Sequence, residues 1–250
     1  MTTEHGGERD LGRSLELLWG DRTRPARGRP PTLSLDRIVA AAVEVADELA
    51  ETEGLEALSM RVIATHLGVG TMSLYRYVPG KSELLDLMLD HVIDVPEQDG
   101  ERGWREILTA EAHHHWRLCM DHPWYPFVDQ SRPLLGPNGL RGLDRLLGLL
   151  RPVGIDDRAL MMMIGVQHDY VDGVARSYIN ERRAEKRTGV SNEEFWQAQA
   201  PALMDAMNSG AFPTMAALAD DTFDFSYEQL FDFGLTRLHD GFASFIDKPR

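Results

Sequence analysis

From position 34 onward, apolar residues recur at helical spacing almost without interruption, and no stretch alternates β-branched residues as a half-buried strand would. Ser34 is a residue type that caps helices, and Ile38, Val39, Ala42, Val45, Ala46 and Leu49 form one apolar stripe behind it. Gly54 follows the end of that helix. Ser59 heads a short second helix carrying Val62, Ile63 and Leu67, and Gly68-Val69-Gly70 reads as a tight turn. Residues 71–77 read as a third helix, and Pro79-Gly80 breaks the chain before a fourth that begins near Lys81 and contains Leu84, Leu85, Met88 and Leu89.

Beyond a Pro/Gly boundary at 96–103, the pattern predicts helices over about 104–121, 138–150, 156–183, 192–208 and 226–246. Residues 209–225 read as a short helix and a loop. The expected fold is all-α, in three parts: a flexible basic arm over 1–33, a three-helix domain over 34–92, and a helical bundle over 93–250. Within the arm, Leu11, Leu15, Leu18 and Trp19 fit one short amphipathic turn.

Charge first argues against a nucleic-acid partner, because 26 Lys and Arg face 40 Asp and Glu, a net −14. Its distribution reverses that inference. Residues 61–81 contain Arg61, Arg76 and Lys81 with no acid, and residues 22–37 contain five arginines against Asp36 alone. Two basic islands in an acidic chain suit selective docking on DNA, since the rest of the surface repels phosphate. The one cysteine, Cys119, rules out an intramolecular disulfide framework and fits a reducing cytoplasm. The longest strongly apolar run, 160–166, is too short for a bilayer, so a soluble cytoplasmic chain with no membrane partner is expected.

Two short helices joined by a glycine-containing turn are the sequence form of a helix-turn-helix, whose second helix enters the major groove with its N-terminal residues at the base edges. Those residues here are Thr71, Met72 and Ser73. Hydroxyls bond donor or acceptor edges, and Met72 can pack on a thymine methyl. Tyr75, Arg76 and Tyr77 lie further along and suit phosphates, and Lys81 joins its charge to a helix N-terminus. The other reading of Leu74, Tyr75 and Tyr77 is packing within a three-helix core.

The run Leu58-Ser59-Met60-Arg61, then Leu67-Gly68-Val69-Gly70-Thr71-Met72-Ser73-Leu74-Tyr75-Arg76-Tyr77-Val78-Pro79-Gly80-Lys81-Ser82-Glu83-Leu84-Leu85, resembles the DNA-binding domain of TetR-type regulators. The likeness lies in the Leu-Gly-Val turn, the Leu-Tyr pair, the following aromatic and the Lys-x-x-Leu-Leu helix start, and it covers about 34–92. The C-terminal half resembles the tetracycline-repressor-like regulatory domain, with weaker motifs. The resemblance implies DNA-contacting roles for Arg61, Thr71, Met72, Tyr75, Tyr77 and Lys81. Arg76 falls where such proteins vary.

Arg27-Gly28-Arg29-Pro30 adds a second basic element. Arg-Gly-Arg-Pro is the core of minor-groove arms, where Arg27 and Arg29 would enter a narrow A·T-rich groove. A solvated linker is the equal alternative.

In the bundle, Phe231, Leu235, Leu238, Phe242 and Phe245 repeat at spacings of 4, 3, 4 and 3. So do Leu160, Ile164, Gln167, Val171, Val174 and Tyr178 at 4, 3, 4, 3 and 4. Both are heptad seams of the kind that interlock in helix bundles, and with paired operator half-sites they predict a homodimer. An intramolecular core would explain them too.

Glu111 and His115 interrupt an apolar stripe on the helix beginning near Trp104, which suggests an effector pocket with Trp124, Phe127 and His168 nearby. A satisfied Glu111–His115 pair is the alternative. His113-His114-His115 cannot converge on one ion, because consecutive helical residues point about 100° apart. Glu111, His115 and Cys119, at i, i+4 and i+8, could do better, yet no spacing is strong enough to assign a metal, and no cofactor is expected. Met161-Met162-Met163 is most simply core packing.

These readings converge on a sequence-specific transcriptional regulator, by default a repressor, that leaves its double-stranded operator when a small-molecule effector binds. The rival is an all-α enzyme with Glu111, His115 and His122 around a metal. It lacks any phosphate-cradling loop, nucleophile elbow or His-Glu-x-x-His helix.

Overall fold

The computed structural model describes residues 11–20, 33–95, 103–219 and 221–247. Among these there are eleven α-helices and no strand: α1 Leu11–Trp19, α2 Leu35–Ala50, α3 Met60–His66, α4 Thr71–Tyr75, α5 Lys81–Val92, α6 Trp104–Asp121, α7 Pro137–Leu150, α8 Asp157–Thr188, α9 Asn192–Asn208, α10 Pro213–Ala216 and α11 Tyr227–Ile246. No helix among them is long and apolar enough to cross a membrane.

The starts of α2 and α3 follow directly from their capping side chains. Ser34 Oγ accepts from Arg37 N at 3.2 Å, and Ser59 Oγ accepts from Val62 N at 3.3 Å. After α3 the chain reverses through Gly68, whose φ of +67° lies in the left-handed region that glycine occupies without a side-chain penalty. Two lengths differ from the periodicity. α4 stops at Tyr75 because Tyr77 N and Val78 N both turn back onto Leu74 O, and α8 continues to Thr188 before Gly189, at φ +70°, ends it.

The expected arm over 1–33 contains a docked helix. Leu17 and Leu18 of α1 join the core of α2, α3, α4 and α5, and Ser14 Oγ donates to the buried Asp86 of α5 at 3.0 Å. Amphipathicity over residues 11–19 was readable, but the surface that receives it lies some 70 positions away in the chain.

The core of the N-terminal helices is continuous with the bundle. Cys119, Trp124, Tyr125, Ala175 and Ile179 belong to the same buried cluster as Ile38 and Leu74. Polar ties reinforce the junction. Asp47 of α2 accepts from Trp124 Nε1 at 2.7 Å and pairs with His122 Nδ1 at 2.9 Å. Arg183 of α8 donates to Ala50 O, placing a cation at the C-terminus of α2, where the helix dipole favours it.

Most of the two heptad seams goes into the chain's own core, while Phe245 at the end of the second stays exposed. Leu160 and Ile164 pack with Ile107, Leu108, Leu146 and Leu150, while Val171 and Val174 pack with Phe231, Leu235 and Ala112. Gln167 is fully buried, donating to Leu108 O at 3.0 Å and facing His239 Nε2 at 2.8 Å. Of the methionine run, Met163 enters the core while Met161 and Met162 stay exposed.

One contact joins α5 to α7. The N-cap of α7 is Gly136, which has no side chain to satisfy the helix's free N–H groups. Asp90, at the end of α5, does so from outside: its Oδ1 accepts from Asn138 N at 3.0 Å and Gly139 N at 2.9 Å, and Asn138 Nδ2 returns a bond to Asp90 O at 2.9 Å. The approach is so close that a Cβ on Gly136 would sit 2.3 Å from Asp90 Cγ.

Asp90→Ala is therefore expected to lower stability by about 1–2 kcal/mol, the worth of a lost N-cap. Gly136→Ala should cost about 1–3 kcal/mol by forcing the two helices apart. Urea denaturation followed by circular dichroism checks both, and Asp90→Asn should retain most of the stability.

Candidate nucleic-acid interface and ligand pocket

The turn between α3 and α4 sets which face of α4 looks outward. Leu74 is fully buried and anchors the helix, leaving Met72 76% exposed, with Tyr75 and Arg76 also exposed. Thr71 and Ser73 are half-buried beside them, and Arg61 projects from the exposed side of α3. The remaining two residues named on this motif make internal bonds. Tyr77 OH donates to Leu33 O at 2.9 Å, and Lys81 Nζ donates to Leu55 O at 3.0 Å. Tyr77 ties the end of α4 to the start of α2, and Lys81 ties the start of α5 to the segment before α3. Arg27 and Arg29 lie outside the described residues.

A cavity of about 340 Å³ opens in the bundle among α6, α7, α8 and the segment that follows α5. Its walls are mostly apolar, including Ile93, Val95, Leu118, Leu143, Leu146, Leu149 and Ile164. Three of the five sequence-predicted pocket residues line it, namely Glu111, His115 and His168. The other two do not. Trp124 is fully buried in the core with its indole N–H on Asp47, and Phe127 lies beneath the Arg183 guanidinium, 4.3 Å from its ring centre. Both stand beyond the end of α6, where the chain has turned toward the N-terminal helices.

The α7 wall was missed by sequence reasoning. The sequence predicted only a helix over about 138–150, and Gly139 and Gly142 lie where Ile93 and Val95 approach closely. Tyr125 was missed as well, although it also lines the cavity.

The polar side of the pocket is a set of pairs between α6 and α8. His115 Nε2 lies 2.7 Å from Asp172 Oδ1, and the Cys119 thiol donates to the same oxygen at 3.7 Å. Asp172 thus takes the partner role that sequence reasoning considered for Glu111. His168 Nε2 is 3.6 Å from Glu111 Oε1 and has no hydrogen-bond partner among the described residues. The His115 and His168 rings are 4.7 Å apart, centre to centre.

Burial pushes the Glu111 carboxyl up, but His168, with His114 and His115 beside it, outweighs this and holds it below its usual range. Burial, reinforced by the Asp172 charge, raises both the Cys119 thiol and the Tyr125 phenol far above theirs. His122, by contrast, pairs with Asp47 at the junction, so Glu111, His115 and His122 do not assemble as the rival metal-enzyme reading required.

Comparison with known proteins matches this geometry at both ends of the chain. Residues 34–88 match the bacterial regulatory proteins of the tetR family, and residues 95–246 match the tetracyclin repressor-like C-terminal domain. The chain is 48% identical over 252 residues to the HTH-type transcriptional repressor DrrR1 of Streptomyces coeruleorubidus, covering 100% of this chain and 92% of that protein. A Saccharopolyspora erythraea HTH-type transcriptional regulator is 34% identical over 159 residues, covering 62% of this chain and 65% of that protein. Among solved structures, Streptomyces coelicolor ActR in complex with actinorhodin superposes with a TM-score of 0.69 at 29% identity, over 86% of this chain and 99% of that one. Apo ActR gives 0.66 at 27% identity, over 86% of this chain and 99% of that one. The chain belongs to the tetR family of bacterial regulatory proteins and is a helix-turn-helix DNA-binding regulator rather than an enzyme.

Proposed function

We propose that this chain is a cytoplasmic, homodimeric transcriptional repressor whose operator-reading unit spans about 34–92 and whose sensing and dimerising unit spans about 93–250. A small-molecule effector entering the α6–α7–α8 pocket releases it from DNA. The observation that carries this reading is the Asp90 contact: α7, which walls the pocket, is capped by α5, the last helix of the operator-reading unit. A ligand that moves α7 must move or break that cap, and so acts on α5. Effector and operator then compete through two arrangements of one unit, provided the effector binds the released arrangement more tightly.

On the head, Met72, Tyr75, Arg76 and Arg61 are free to face DNA, with Thr71 and Ser73 at the base edges. Tyr77 and Lys81 serve chiefly to hold the end of α4 and the start of α5 in place, so their loss costs affinity through position as well as contact. Arg27 and Arg29 belong to the same reading as an additional minor-groove contact.

The pocket's chemistry describes its effector: a largely apolar body with one hydrogen-bonding edge directed at Glu111, His115 and His168. ActR has been solved with actinorhodin, which makes that compound the first probe to try here.

Because most of each seam is consumed within the chain, the dimer face lies on what these helices leave exposed. Met162 and Val166 of α8, with Leu230, Phe233 and Phe245 of α11, are exposed apolar residues on adjoining helices, and Gly173 and Gly241 among them permit close approach. No residue of α9 is buried within the chain, and Phe195, Trp196, Leu203 and Met204 are exposed along it. A second copy covering these faces is the simplest way to remove them from water.

Three outcomes are expected. Tyr75→Ala and Arg76→Ala should each weaken binding to DNA recovered by genomic SELEX by about tenfold, in fluorescence anisotropy, with secondary structure unchanged. Phe233→Arg should give monomers in sedimentation velocity and reduce operator affinity by about a hundredfold or more, since each monomer holds only one half-site. Gly165→Leu adds a side chain on the pocket wall where a Cβ meets nothing within 4 Å. It should keep DNA binding intact while abolishing release by any compound that dissociates the wild type. Retained release by that compound overturns the pocket assignment.

A further inference from the structure

The geometry points to a zinc-type metal site formed by His115, Cys119 and Asp172 against the pocket wall. Three donors of different kinds, an imidazole nitrogen, a thiol sulfur and a carboxylate oxygen, lie mutually within 4.8 Å. His115 and Cys119 are one turn apart on α6, and Asp172 faces them from α8, so two packed helices rather than a loop fix the set. His115 and Cys119 are buried and Asp172 is half-buried.

The spacing fits an ion after a small adjustment. Zinc ligand distances of about 2.0–2.3 Å place tetrahedral donor atoms roughly 3.3–3.7 Å apart. Cys119 Sγ and Asp172 Oδ1 are already 3.7 Å apart, while His115 Nε2 and Asp172 Oδ1, at 2.7 Å, must separate by about 0.6 Å, within rotamer adjustment. Without an ion, both the imidazole and the thiol crowd one carboxylate oxygen. With one, each donor atom points a lone pair at the metal instead.

Charge also balances. The incoming divalent cation displaces the Cys119 proton to solvent, His115 binds through Nε2 with its single proton on Nδ1, and Asp172 remains a carboxylate. One thiolate and one carboxylate neutralise the two positive charges, leaving a site with no net charge in a low-dielectric interior. The mixed nitrogen, sulfur and oxygen set favours zinc or cobalt(II) over magnesium or calcium, which prefer all-oxygen sites. Three protein ligands leave a further position for water or a small ligand, as in open zinc sites.

This inference shares His115 with the effector reading, but its test reads metal alone and requires no release from DNA. The full-length protein, free of any histidine tag and dialysed against chelator, is titrated with zinc and with cobalt(II). One zinc per chain should be retained, and the cobalt form should show a sulfur-to-cobalt charge-transfer band. Cys119→Ser should abolish that band, and both Cys119→Ser and Asp172→Asn should weaken zinc binding by at least about tenfold, with helical circular dichroism confirming that they fold. Should either variant fail to fold, the wild-type band alone decides. Absence of that band, or zinc binding unchanged in both folded variants, overturns the site, the latter result marking surface histidines such as His91 as the binders.

Discussion

A helix that begins with glycine must find its cap elsewhere, and in this chain that need organises the regulatory machinery. α7 starts at Gly136–Pro137 with no side chain of its own to meet its first N–H groups. Asp90 meets them from the last turn of α5, and the carboxylate also lies at the positive end of the α7 dipole. The bond is possible only because position 136 lacks a Cβ. Both partners are fixed, since α5 is held in the N-terminal core by Leu84, Leu87 and Met88 and α7 in the bundle by Leu146 and Leu150. The cap therefore transmits displacement instead of absorbing it.

A second junction defines what that displacement can do. Asp47, with Trp124 and His122, and Arg183, with Ala50, hold the C-terminus of α2 against the ends of α6 and the later turns of α8. α5 and α2 are thus tied to different parts of the bundle, one beside the pocket and the other away from it. In the proposed release, motion at α7 relative to α8 would become rotation of the head about the α2 junction. Packed interiors favour discrete alternatives over gradual bending, and two such anchors at different places supply a lever and a pivot.

Much of this was legible in the sequence, in proportion to how local its causes are. Ser34, Ser59, Gly68 and Pro79-Gly80 act within a few residues of themselves, and the helices they bound lie where the periodicity places them. The seams on α8 and α11 were equally visible as periodicity, but period alone does not say whether the facing helix belongs to the same chain, and here it does. Trp124 and Phe127 were placed in the pocket by nearness in sequence, and the turn after α6 carries them toward Asp47 and Arg183 instead. Asp172 and Asp90 were not legible at all. Each is an acidic residue on an amphipathic helix, and only the packing of a distant element turns it into a partner for His115 or a cap for Asn138 and Gly139. Tertiary polar contacts leave little periodic trace, and the function of this chain is concentrated in them.

The acidic surface completes the physical argument for why such a lever can work. A strongly basic protein gains so much sequence-independent attraction to phosphate that a small change in head spacing would leave it bound somewhere on the duplex. Here the net charge is −14, while residues 61–81 carry Arg61, Arg76 and Lys81 with no acid. Such attraction is correspondingly small here, and in the proposed homodimer occupancy would rest on two heads fitting two half-sites together. An effector then has only to spoil that joint fit, a matter of a few kcal/mol, and the repulsion of the remaining surface carries the protein off the DNA.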